Sequence, residues 1–96
     1  MSRDDILALL RRFKQERAHQ YDVTEIGIFG SAARGTFGEE SDIDIVFKSD
    51  RPNLFRTSRM KQELRELLGR PVDVVRLRTR MNPRLKVCIE REACYV

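Results

Sequence analysis

Apolar and polar positions alternate along this chain in two rhythms. Ile6, Leu9, Leu10 and Phe13 recur at helical spacing with Arg11, Arg12, Lys14 and Arg17 around them, which predicts an amphipathic helix over about residues 3–18. Ser2 followed by Asp5 starts it as a capping box, and the polar stretch 19–24 ends it. The β-rich run 25–29 (EIGIF) predicts a strand that stops at Gly30, and SAARG (31–35) a short helical turn. After a loop at 36–41 (TFGEES), DIDIVFK (42–48) follows the period of two. Ile43, Ile45 and Phe47 share one face; Asp42, Asp44 and Val46 share the other. A turn over 48–53 leads to a second amphipathic helix, Leu54–Leu68, which carries Phe55, Met60, Leu64, Leu67 and Leu68 and ends on Gly69 as C-cap. PVDVVRL (71–77) reads as a third strand and 78–81 as a basic linker. Asn82-Pro83 opens a last helix that reaches Tyr95. The expected class is α+β, in the order αβαβαβα, with three strands. So small a sheet needs helices on one face, which leaves the other for chemistry.

Composition narrows the class. The chain has 96 residues, expected to form one domain over 1–96, with room for a core but little for a deeply buried substrate. Hydrophobic residues at 41% and charged residues at 35% describe a folded, highly charged protein. No apolar run approaches the roughly 20 residues that span a membrane. Charges interrupt MSRDDILALLRRF, so it is no signal peptide, and a cytoplasmic location is expected. Cys88 and Cys94 would point to different faces of a helix and read as thiols in a reducing compartment. His19 reads as a surface or capping residue, and Phe29, Phe47 and Phe55 as core.

The net charge is +4, from 19 Lys and Arg against 15 Asp and Glu. It is unevenly spread: residues 1–55 hold 8 basic against 10 acidic residues, and residues 56–91 hold 11 against 4. A basic chain invites nucleic acid as a partner. The acidic half, however, contains the residues with the most chemical promise.

Three features stand out. Gly30-Ser31, at a strand end and a helix start, offers backbone N–H groups to an anion, although Gly-Ser is also a common turn. Asp42 and Asp44 lie on one strand face with Cα atoms about 6.5–7 Å apart. Two ionised carboxylates so placed repel unless a cation lies between them, and hard carboxylate donors suit Mg²⁺; the alternative is a solvated strand face. Asp73 sits inside a Val-rich strand. It either pairs with an arginine on an exposed face or, if its strand lies beside that of Asp42, joins the other two carboxylates.

The order Gly30-Ser31, ten residues, Asp42-x-Asp44, then Asp73 on a later strand resembles the nucleotidyltransferase superfamily whose fold is shared with DNA polymerase β. GSAARG, SDIDIVF, LLGRPVDVV and EREACYV together resemble the minimal nucleotidyltransferase (MNT) domains over nearly the whole chain. The resemblance implies a polymerase β palm-like fold, a small mixed three-stranded sheet covered by helices. It implies that Gly30 and Ser31 bind nucleotide phosphates, that Asp42, Asp44 and Asp73 hold two Mg²⁺ ions, and that Asp73 helps deprotonate the attacking hydroxyl. Arg34, one helical turn past Ser31, is placed either to meet the triphosphate or to pair with Glu39 or Glu40. Ser41 is a candidate to orient Asp42, and Phe37 either stacks on a base or covers the core.

Larger relatives carry a further domain for their acceptor, and MNT domains of this size typically accompany a HEPN-domain ribonuclease toxin. The resemblance therefore implies a Mg²⁺-dependent protein adenylyltransferase that moves AMP from ATP to a toxin tyrosine and serves as a type VII antitoxin. Two alternatives stay open: an antitoxin that acts by binding alone, and a free-standing nucleotidyltransferase acting on RNA or a small molecule. Nucleic acid is not expected as a direct substrate. The basic second half reads as a docking surface for an acidic partner or a lane for the triphosphate.

Overall fold

The computed structural model describes residues 1–96. Its order is α1 (Arg3–Arg17), a 3-10 turn (Ala18–Tyr21), β1 (Val23–Ile28), α2 (Gly30–Arg34), β2 (Ile43–Ser49), α3 (Leu54–Leu68), β3 (Val72–Arg76), α4 (Pro83–Glu92) and β4 (Cys94–Tyr95). The caps read from the sequence are present. Ser2 and Asp5 form a reciprocal capping box, Asn82 accepts from the first N–H groups of α4, and Gly69 ends α3 with φ 65°; Asn53, expected only as the end of a turn, also caps α3.

The sheet has four strands in the order β3-β2-β1-β4, where three were expected. The pairs β1–β2 and β1–β4 are antiparallel and β2–β3 is parallel, so the sheet is mixed. The fourth strand arises because α4 stops at Glu92 and does not reach Tyr95. Ala93 adopts an extended backbone, and Cys94 and Tyr95 pair with Ile28 and Gly27. Gly27 permits this close approach: a Cβ there would lie 2.7 Å from the Tyr95 Cα. Both cysteines are free thiols, Cys94 on a strand rather than a helix.

Side-chain alternation divides the core in two. Ile26 and Ile28 of β1, Ile43, Ile45 and Phe47 of β2 and Val72 of β3 pack against Ile6, Leu10 and Phe13 of α1 and Met60, Leu64 and Leu68 of α3. On the other face Phe29, Val46 and Ile89 form a smaller cluster with Val75, Leu77, Leu85 and Cys88. Helices therefore cover both faces in part, and α4 takes up some of the face expected to be open. Phe29 and Phe47 are core, as expected, but Phe55 is 84% exposed. The reason is helical phase: Met60, Leu64 and Leu68 repeat every four residues along one stripe, and Phe55, five before Met60, falls off it.

Gly27→Ala is expected to destabilise the protein by about 2 kcal/mol, because the new methyl group meets rigid backbone rather than a yielding side chain. Gly38→Ala, whose Cβ would meet only the Ser41 Oγ at 3.7 Å, is expected to shift stability by less than about 0.5 kcal/mol. Urea unfolding of the two variants checks the contrast.

Candidate active site

The candidate residues meet at the N-terminal ends of the parallel pair β2–β3. Asp44 stands in register with Asp73 across that pair. Asp42 lies just before β2, two residues from Asp44. Asp44 alternates with Ile43 and Ile45, which face α1 and α3, so it shares a face with Val46 on the α4 side. Because α4 packs over Val46 and Val75, the acidic ends of the strands beyond them stay open. Asp42 and Asp73 are exposed and Asp44 is half-buried.

Burial, then the charges of Asp73 and Asp42, push the Asp44 carboxyl above its ordinary value, and Arg34 works against them. As folded, the carboxylates are not a closed cage, since no three His, Cys, Asp or Glu side chains stand close enough to hold a metal ion. Their chemistry nonetheless fits a hard divalent cation. The donors are all carboxylate oxygen, and the half-buried Asp44 faces two like charges that a cation would offset.

Gly30 packs against this centre. The hydrogen bond from Phe29 N–H to the Asp44 carbonyl (3.0 Å) brings the end of β1 alongside β2. The chain then turns at Gly30 with φ 64°, where a Cβ would lie 2.6 Å from Asp44 Oδ2. Glycine is thus favoured by the backbone conformation, and a side chain there would push the Asp44 carboxylate aside. Ser31 follows within α2 and is half-buried.

Arg34 ends α2, but its partner is neither Glu39 nor Glu40. Its Nη1 donates to both carboxylate oxygens of Glu92, at 2.8 and 2.7 Å. The Cys88 thiol donates to the same carboxylate at 3.3 Å. Those bonds, that from Cys88 foremost, hold Glu92 below its ordinary range, and the Gly30 N–H adds to the effect. Burial and the Glu92 carboxylate push the Cys88 thiol up. Glu92 was missed as a site residue, and the one signal that could have flagged it is its place in EREACYV.

Ser41 does not touch Asp42. Its Oγ accepts from the Gly38 N–H at 3.2 Å and closes the loop ahead of β2. Arg70, also missed, pins that loop by donating to the carbonyls of Ser41 (2.9 Å) and Gly38. The Arg70 guanidinium lies over the Phe37 ring at 5.1 Å, and Phe37 packs on the main core, so of its two expected roles Phe37 takes the covering one.

Residues 10–96 match the family described as the nucleotidyltransferase domain. The protein adenylyltransferase MntA of Thermococcus cleftensis is 33% identical over 94 residues, covering 97% of this chain and 94% of the relative. A solved structure of a candidate minimal nucleotidyltransferase superposes with a TM-score of 0.80 at 32% identity, covering 98% of this chain and 95% of that one. A chain in the crystal structure of a toxin–antitoxin with AMP-PNP gives a TM-score of 0.71 at 25% identity, covering 99% and 72%.

The raised pKa of Asp44 carries a sign. The folded state favours the protonated acid, so Asp44 leaves stability intact below its unfolded value of 3.8 and removes it as pH rises through the higher folded value. Asp44→Asn is therefore expected to raise the melting temperature at pH 7 without divalent cation, and the gain should vanish below about pH 3.8. Thermal unfolding across pH checks this; an equal gain at both ends would refute it.

Proposed function

The chain belongs to the nucleotidyltransferase domain family, and from that premise we propose that it is a Mg²⁺-dependent protein adenylyltransferase, an antitoxin that moves AMP from ATP to a tyrosine of a HEPN-domain ribonuclease toxin. The observation that carries the chemistry is Asp44 in register with Asp73 beneath the Gly30 turn. The protein acceptor is supported by the near end-to-end similarity to an adenylyltransferase of proteins and by the likeness to a chain crystallised in a toxin–antitoxin with a nucleotide analogue.

In this reading the phosphates of ATP lie against Gly30, Ser31 and Arg34. Asp42, Asp44 and Asp73 would hold Mg²⁺, which offsets the charge of the α-phosphate and the departing pyrophosphate. Asp73 is exposed at the strand edge, open to an incoming macromolecule, and takes the proton from the attacking tyrosine hydroxyl. The hydroxyl oxygen forms a bond to the α-phosphorus as the bond to the pyrophosphate oxygen breaks. No helix is long and apolar enough to cross a membrane, and we place the reaction in the cytoplasm.

The basic second half fits docking better than a triphosphate lane. Arg76 closes β3 and Arg78 and Arg80 follow it, while Asp73 lies near its start, about 10 Å away along the strand. None of Arg76, Arg78, Arg80, Arg84 and Lys86 pairs with a carboxylate. Beside them lies a groove of about 390 Å³ of mixed character, lined by Asn53, Leu54, Thr57, Val74, Arg76 and Arg78. An acidic face on the toxin would complement this surface.

Incubation with ATP, Mg²⁺ and the cognate toxin is expected to add adenylate mass to the toxin. Asp42→Asn/Asp44→Asn should abolish that transfer and the rescue of growth while complex formation persists. Unmodified toxin with the wild type would sink the reading, and full rescue by the double variant would favour neutralisation by binding alone. Charge reversal of Arg78, Arg80 and Arg84 is expected to weaken toxin binding at least tenfold at low salt, mostly through slower association. Unchanged affinity by surface plasmon resonance would rule out docking there.

A further inference from the structure

We infer that Glu92 is a positioning residue for nucleotide binding, one that holds Arg34 by a single nitrogen and leaves the rest of its guanidinium free for the triphosphate. The inference rests on the reading of Gly30, Ser31 and Arg34 as the phosphate site.

The geometry of the pair carries it. Arginine has five N–H donors in a planar fork and commonly meets carboxylates with two parallel bonds. Arg34 does not: both contacts to Glu92 come from Nη1. Its Nε and Nη2 donate to no protein group, and the side chain remains half exposed beside Asp44. A guanidinium held end-on has its direction fixed and three N–H bonds to spare, the condition for charge-assisted binding of a phosphate at low entropic cost.

Glu92 is itself anchored rather than loose. The Cys88 thiol lies one helical turn back on α4 and donates to Oε2. Ile89, buried beside Phe29 and Val46, ties the same helix to the sheet. The C-terminal segment continues at once into β4, which Gly27 admits to the edge of the sheet. Glu92 is thus fixed from two sides, and Arg34 takes its position from it.

A double-mutant cycle with AMP-PNP and Mg²⁺ as the probe, read by calorimetry, tests the inference. Arg34→Ala is expected to weaken binding about tenfold, the loss of a charge-assisted bond to phosphate. Glu92→Ala should weaken it by a similar factor, and the double variant should be no weaker than Arg34→Ala alone. Glu92→Gln keeps an oxygen acceptor for Nη1 and is expected to restore most of the affinity, an outcome that a purely structural role for Glu92 would not give. Tighter binding by Glu92→Ala would identify Glu92 as a competitor of the phosphates and overturn the inference, as would losses that multiply in the double variant. Should Glu92→Ala fail to fold, Glu92→Met, close in size but without an oxygen acceptor for Nη1, reads the same coupling with and without Arg34→Ala. Wild-type protein that binds no AMP-PNP would bring down the adenylyltransferase reading and this one with it. Wild type that binds, with no coupling between the two residues, would bring down only the role of Glu92.

Discussion

Asp44 is the point at which the demands on this fold collide. It belongs to a strand whose alternate residues are fully buried, so it cannot leave the sheet without taking Ile43 and Ile45 out of the core. Parallel pairing sets Asp73 beside it, and the chain order sets Asp42 two residues before it. A half-buried carboxylate with two like neighbours is an unfavourable arrangement for a bare protein. The packing energy of the strand stabilises it against that repulsion. A cation placed among these carboxylates would relieve that repulsion, and the relief would then be part of its binding free energy.

Much of this was legible in the residues because local rules dominate there. Period-two alternation in DIDIVFK fixed which residues face the core before any partner strand was known. The caps at Ser2, Gly69 and Asn82 all form as their side chains or backbone freedom require. What escaped depends on pairs distant in sequence. Arg34 and Glu92 lie 58 residues apart, and Arg70 reaches back 29 residues to Ser41. No spacing rule connects such positions. Glu39 and Glu40 looked like partners for Arg34 only because they were near along the chain. Phe55 was misplaced for a related reason: being apolar on a helix does not put a residue on the buried stripe, and counting phase from Met60 would have excluded it.

The C-terminus is the clearest case of tertiary context overriding local preference. Residues 93–95 continue a helical pattern well enough to be read as helix, yet they form a strand. An open edge of β1 was available, and Gly27 has no side chain to keep a neighbour away. Edge pairing offers Val96 N–H the carbonyl of Ile26 at 2.9 Å, which a frayed helix end would leave to solvent. The same choice stops α4 at Glu92 and so decides where that carboxylate lies. A glycine on β1 and an arginine at the end of α2 are thereby linked through the segment between them.

The charge asymmetry of the chain acquires a spatial meaning from the parallel strand pair. Two parallel strands have like ends together, so the carboxylates of β2 and β3 collect at one end and the arginines that close and follow β3 collect at the other. An antiparallel pair would have interleaved them. Separation serves both ends. Arg76, the first of those cations, lies about 10 Å from Asp73 along the strand, yet both ends remain on the same small body. Two cations are the exceptions at the acidic end: Arg70, which is held on the carbonyls of Ser41 and Gly38, and Arg34. The pairing of Arg34 with Glu92 tempers the charge it brings to Asp44.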